Sequence, residues 1–342
     1  MKYLIIFLAI SASTTTSPAE RIYVQEGKDG NGSSWEQAFG DLQAALAAAE
    51  AGDEIWIAEG TYYPTQEADQ REASFVIPSG VKVYGGFSGT EKHLADRQLT
   101  AHPTILSGEI GDPETEEDNV YSVVTFIQAD PSTLLNGVVI TKGTANGYDD
   151  GVARTTCGAA VFNDGEFGLS SPTITNCSFV YNYAREGAAI FNYANEGEAS
   201  PIISDCKFLY NRSDFKGGAI FNDGNFGKSN PVIANCRFEG NESGYGAGVL
   251  NRALYGNCQP VITDCVFYDN FSLVRGSAVY NLQEGRGVVE PAIEGCVFAE
   301  NGSTVGGEVD NTLNHRPGAE EPDSQGKSGL RLRASSQAAI GF

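Results

Sequence analysis

From residue 158 onward, apolar residues fall at alternate places in short runs, as in Cys177-Ser178-Phe179 and Ala219-Ile220-Phe221, with polar turns between them. Alternation of this kind predicts β-strands with one face buried, and no run in this region carries a helical period of useful length. The runs recur. One unit reads Gly-x-x-Ile/Val-x-Asn and starts at Gly158, Gly187, Gly217, Gly246, Gly276 and Gly306. The other reads Pro-x-Ile-x-x-Cys-x-Phe-x-x-Asn and starts at Pro172, Pro201, Pro231, Pro260 and Pro291. A fixed period of about 30 residues marks a solenoid. Each copy fits one coil of three strands joined by two turns and a loop. Equivalent residues of neighbouring coils then stack roughly 4.8 Å apart. Ile174, Cys177, Phe179 and Val161 point inward onto their equivalents.

Two asparagine columns follow from the same period: Asn182, Asn211, Asn241, Asn270 and Asn301 in one, and Asn163 through Asn311 in the other. Asparagine tolerates left-handed backbone at a turn, and its amide both donates and accepts, so such a ladder satisfies itself. The role is structural. The repeat cysteines Cys177, Cys206, Cys236, Cys265 and Cys296 also form a column. In-register neighbours have parallel Cβ vectors about 4.8 Å apart, whereas a disulfide needs Cβ atoms near 3.8 Å. Buried free thiols are expected. A zinc site is not, since no paired CxxC occurs and the three histidines all lie outside the columns.

Before the regular copies the pattern loosens. Ser34-Trp35-Glu36-Gln37 resembles a capping box and predicts a helix to about Glu50. Glu54 to Ala58 reads as a strand; Ser74 to Ile77, Val81 to Tyr84, Thr104 to Leu106, Val123 to Ile127 and Gly137 to Ile140 read as strands of irregular first coils. Insertions span 61–71, 88–103 and 108–119. At the start, Lys2, the apolar run Tyr3 to Ile10 and the small-x-small Ser17-Pro18-Ala19 read as a secretory signal, too short to span a bilayer. The expected organisation is a signal peptide at 1–19, an N-terminal helical cap with irregular coils at 20–150, regular coils at 151–311 and a disordered tail at 312–342. The expected fold is all-β, a right-handed parallel β-helix behind a capping helix.

Charge narrows the partners. The formal net charge is −22, from 44 acidic and 22 basic residues. Nucleic acid, whose phosphates need Lys and Arg, is disfavoured, as is unaided binding of polyanionic sugars. No cofactor is called for. The run from Asp112 to Asp118 is rich in carboxylates, but its spacing matches no calcium loop and it reads as solvated.

Trp35, Leu42-Gln43-Ala44-Ala45-Leu46, Ala51-Gly52-Asp53, Ile55-Trp56-Ile57, Gly60-Thr61-Tyr62, Tyr84-Gly85-Gly86-Phe87 and Thr104-Ile105-Leu106-Ser107-Gly108 resemble the opening of exported right-handed β-helix proteins of the pectin-lyase-like superfamily. The Gly-Gly-Ala-Ile unit at 217–220 and the Phe-x-x-Asn unit at 238–241 resemble polymorphic outer-membrane protein repeats. The resemblance covers about residues 21–311. It implies the fold and a secreted or surface location, on the bacterial outer face. It is weak for activity, because that superfamily holds lyases, glycosidases and adhesins. No Arg-x-Pro-x-x-Arg occurs, nor Asn-Thr-Asp with a following Gly-His-Gly. The nearest Asp pair, Asp149-Asp150, lacks their companions. Fold alone does not convert into chemistry.

Outward columns supply the candidates. Glu186, Lys216, Tyr245 and Arg275 precede successive repeat glycines, and Phe167, Phe226 and Tyr255 occupy equivalent loop positions. Aromatic faces stack on sugar rings while charged neighbours fix hydroxyls. The aromatics read equally as loop covers, and Glu186–Lys216 as a cross-coil ion pair of small worth. Asp269 and Glu300 fall side by side in adjacent coils, where they either hold a cation such as calcium or are screened by water. Asp205 and Asp264 share a column with Asn176 and Asn235, which reads as a turn. The expected role is non-catalytic binding or adhesion to a polysaccharide or cell-surface glycan, or to a partner surface. The alternatives are a polysaccharide lyase or glycoside hydrolase, favoured by any deep groove at the insertions, and a structural stalk.

Overall fold

The structure is a computed structural model and describes residues 19–148 and 154–315. Nearly all of the expected signal peptide, the pair Asp149-Asp150 and the chain beyond His315 lie outside those residues. Four parallel sheets wrap one interior. In a regular coil the chain runs through Thr173–Thr175 in sheet I, Ser178–Val180 in sheet II, Tyr183–Glu186 in sheet III and Ile190–Tyr193 in sheet IV. Each strand pairs in parallel with its counterpart one coil on: Thr173 faces Ile202, Ser178 faces Lys207, Tyr183 faces Arg212 and Ile190 faces Ile220. The alternation predicts three strands per coil, and the structure has four. Sheet III escapes notice because its buried inward residues are small, Ala184, Ser213 and Ser243, so no large apolar residue marks it.

The interior is built of columns. Ile174, Phe179, Cys177 and Val161 are buried with their equivalents, as the pattern predicts, except in the last coil, where Ile293, Cys296 and Phe298 are only partly buried and Val309 is exposed. The Phe179, Phe208, Phe238, Phe267 and Phe298 rings stack with centroids 4.6–5.1 Å apart and planes within 8°. Such aromatic pairs are worth about 0.5–1.5 kcal/mol beyond their buried area. The repeat cysteines are free, and Cys206, Cys236, Cys265 and Cys296 each point a thiol at the carbonyl of the preceding coil's repeat isoleucine, 3.6–3.7 Å away. Burial pushes the Cys206 thiol well above its ordinary range, so it stays protonated.

Both asparagine ladders form. Asn182, Asn211, Asn241 and Asn270 each donate from Nδ2 to the next Oδ1 at 2.8–3.1 Å. The second ladder runs from Asn163 to Asn311 at 2.8–2.9 Å. The left-handed backbone falls one residue before the first ladder, at Tyr181, Tyr210, Gly240, Asp269 and Glu300. The chain kinks there so that the asparagine amide can lie along the axis inside the wall. Asn176, Asp205, Asn235 and Asp264 are also left-handed, with φ of 53–55°, consistent with a turn column.

The opening differs from its sequence reading. Ser34 Oγ does accept the Gln37 N–H at 3.3 Å, but that segment is only a turn. A seven-residue helix, α1, runs from Leu42 to Ala48, with Asp41 accepting the Gln43 N–H as its cap. The stretch before it lies too close to residues 28–30 to coil: a Cβ on Gly30 would sit 2.2 Å from the Gln37 carbonyl oxygen. Leu42, Ala45 and Leu46 bury into the interior. Arg21–Val24, an unpredicted strand, is the outermost member of sheet I. Thr61 and Tyr62 belong to the strand Gly60–Tyr62 rather than to a loop, and the last strand, Val309–His315, runs past Asn311.

Candidate functional site

Along each sheet IV strand, residues alternate between the interior and the outside of the solenoid. Val161 and Asn163 point in; Phe162 and Asp164 point out. The outward residues Phe162, Phe191, Phe221, Leu250 and Tyr280 form a second apolar cluster, separate from the interior core and itself buried. Phe162 stacks on Phe191 at 5.7 Å, and Phe191 meets Phe221 edge-on at 5.0 Å.

Both sequence-derived columns flank this face. Glu186, Lys216, Tyr245 and Arg275 are successive backbone partners at the end of sheet III. Glu186 and Lys216 form an ion pair at 3.4 Å, Arg275 pairs with Asp310 at 3.4 Å, and Tyr245 packs on Tyr280 at 5.4 Å. At the far end of the same strands lie Phe167, Phe226 and Tyr255. The sequence columns treat them as one strip, but Glu196 occupies the intervening coil. Phe226 and Tyr255 make a tilted pair at 4.9 Å, each 51% exposed, and Phe167 stands apart at 68%. Phe167, Glu196 and Phe226 all take left-handed backbone.

Between these columns lies a third, Asp164, Tyr193, Asp223 and Arg252, that sequence reasoning passed over. Its members directly follow the ladder asparagines, and all four are polar or amphipathic at an outward strand position. That was the available signal. Asp223 is 1% exposed; it accepts the Asn225 N–H at 3.2 Å and lies 3.9 Å from Arg252. Arg252 also holds Glu284 at 2.6 Å. Burial drives the Asp223 carboxyl up to about 6, against the opposing pull of Arg252. Glu186 raises it further through space and Lys216 lowers it.

Two cavities open on the outside. One, of about 230 Å³, lies at the N-terminal end of the sheet IV face, where Arg154, Asp164, Glu166 and Tyr193 line it with Ile127 and Phe162. The other, of about 200 Å³, is walled by Leu99, Thr100 and Pro103 from the 88–103 insertion and by Cys177, Asp205 and Lys207. Asp269 and Glu300 occupy left-handed turn positions of adjacent coils, and the Tyr268 hydroxyl donates to Glu300 at 2.9 Å. Among the described residues, no group of three or more His, Cys, Asp or Glu converges as a metal site would need. Among them, too, no helix is long and apolar enough to cross a membrane.

Stacked parallel coils with ladders of identical residues inside and varied residues outside define a parallel β-solenoid. The model of the right-handed β-helix region matches residues 137–316. The chain belongs to that family. Its fold is similar to a pectin methylesterase from Aspergillus niger, at 16% identity over 90% of this chain and 89% of that one, with a TM-score of 0.45. It is also similar to a rhamnogalacturonan lyase, at 12% identity over 90% of each chain and a TM-score of 0.46. A polygalacturonase from Erwinia carotovora is 10% identical over 89% of this chain and 99% of that one, with a TM-score of 0.33. No curated protein matches the chain.

Proposed function

We propose that this chain is an exported, non-catalytic β-helix protein that binds a linear glycan along the outer face of sheet IV. The observation that carries the reading is the half-exposed ledge of Phe226 and Tyr255, set beside a face rimmed by Glu186, Lys216, Tyr245 and Arg275. Half-exposed rings present flat apolar faces to sugar rings, and the charged rim orients hydroxyls. Sites one coil apart repeat about every 4.8 Å, so a linear polymer gathers several weak contacts where a monosaccharide gathers one. The acidic surface argues for a neutral glycan, or for an acidic one bridged by calcium, with Asp269 and Glu300 as the candidate carboxylates.

Titration of neutral and acidic oligosaccharides, with and without calcium, tests this reading. Affinity should rise with oligosaccharide length and then level off. Length-independent affinity, or no binding to any glycan, overturns it. A second reading, a polysaccharide lyase or hydrolase, draws on the cavity beneath the 88–103 insertion, where Asp205 and Lys207 stand together. Release of reducing ends or unsaturated products would favour that reading, and abolition of the release by Asp205→Asn would locate it.

A further inference from the structure

The 230 Å³ cavity at the N-terminal end of sheet IV contains an unusual set of charges. Arg154 is half-buried, and that burial lowers its affinity for a proton, against the through-space pull of Glu72. Among the described residues its guanidinium makes no ion pair or hydrogen bond. Asp164 lines the same cavity, and its carboxyl is shifted upward by burial and by Glu166. The two charges line one cavity and make no ion pair with each other.

Glu166 is held in place: its Oε1 accepts the Tyr193 hydroxyl at 3.0 Å and the Asn195 amide at 2.9 Å. Asp164 accepts the Glu166 N–H at 3.0 Å, which fixes its carboxylate in turn. Ile127, 52% exposed, and the Phe162 ring supply an apolar wall. A half-buried guanidinium without an ion-pair partner is free to take a carboxylate in bidentate fashion. A carboxylate alone would suffer from the two fixed acids nearby. A ligand carrying both a carboxylate and an ammonium satisfies both ends at once.

We infer that this cavity is a binding site for a free α-amino acid with an apolar side chain. Arg154 takes the carboxylate, Asp164 and Glu166 take the ammonium, and the side chain lies against Ile127 and Phe162. The volume suits a molecule of that size and is small for an oligosaccharide. The inference does not depend on whether the neighbouring face binds glycan.

Titration calorimetry of the full chain with L-leucine tests it, beside N-acetyl-L-leucine, L-leucinamide and glucuronate. Leucine is expected to bind, and blocking either its amine or its carboxylate should weaken binding at least tenfold. Arg154→Gln should abolish leucine binding and Asp164→Asn weaken it severalfold, both with an unchanged melting temperature. Glucuronate binding as tightly as leucine would show a carboxylate site rather than a zwitterion site, and absence of leucine binding to the native chain would remove the site altogether. Should Arg154→Gln melt early, the blocked ligands on the native chain decide the matter by themselves.

Discussion

The two faces of sheet IV follow opposite rules. Inward, each column repeats one residue: asparagine from Asn163 to Asn311, with β-branched Val161, Ile190, Ile220, Val249 and Val279 beside it. Outward, one column stays apolar from Phe162 to Tyr280, but the column after the asparagines reads Asp164, Tyr193, Asp223, Arg252 and Leu282, changing in every coil. An inward residue meets only its own kind above and below, so self-complementary groups are selected: flat rings, amides that donate and accept, small thiols. An outward residue answers to neighbours across the face and to solvent. Uniformity therefore reports packing, and variation is where binding can be written.

The comparison can be broken first at an inward ring. Phe238→Ala should cost about 3–5 kcal/mol, since it leaves a void between two stacked rings in a rigid column; denaturant unfolding would measure it. A loss under about 1 kcal/mol would mean the column collapses freely and is not the rigid stack described.

A pH titration of stability sharpens the outward side. Asp223 titrates at about 6 in the folded chain and near 3.9 when unfolded. Between those values the folded state holds more protons, so stability falls as pH rises and is greatest below the unfolded value. The span corresponds to about 3 kcal/mol. Asp223→Asn should flatten this slope between pH 4 and 6, while Arg252 keeps its pairing to Glu284. An unchanged slope would assign the titration to another group.

Cys236→Ser should destabilise by about 1–3 kcal/mol, because a more polar hydroxyl on a shorter bond is buried farther from the Ile203 carbonyl than the thiol it replaces. Alkylation under denaturing, non-reducing conditions should modify all five repeat cysteines. Smallest in stability, and largest in function, is Phe226→Ala. It should leave the melting temperature nearly unchanged and weaken glycan binding about tenfold, or 1.4 kcal/mol. If it unfolds the chain instead, the ring is a loop cover.

What the sequence revealed follows the same division. The period, the inward residues and both ladders were legible because each coil restates them. The strand Tyr183–Glu186 was not, because Ala184 and its serine equivalents are too small to mark a buried position. The helix was placed too early because the turn at Ser34–Gln37 makes the same hydrogen bond as a cap. Arg154, Asp223 and Glu284 were invisible for a different reason. Arg154 and Glu284 recur in no other coil, Asp223 recurs only as Asp164 two coils away, and their meaning depends on neighbours about 30 or more residues away. Phe167, Phe226 and Tyr255 occupy aligned positions, but Glu196, which the same period places between them, interrupts the row and leaves Phe167 apart.

The asparagine ladders have a direction, and with it a head and a foot. At the head, Ser170 Oγ donates to Asn163 Oδ1 and the Gly143 N–H to Asn182 Oδ1, each filling the place of an absent asparagine. At the foot, Asn301 donates to the Glu308 carboxylate, a group that accepts and passes nothing on. A rod with such ends can lengthen from its middle. Copying one internal coil, residues 201–230, would hand each amide a new neighbour and leave these end contacts in place, whereas a copy added after Glu308 would meet a carboxylate that cannot extend the first ladder. An inserted internal coil is therefore expected to fold as part of the same rod. An inserted copy that unfolds separately from the rest in calorimetry would refute it.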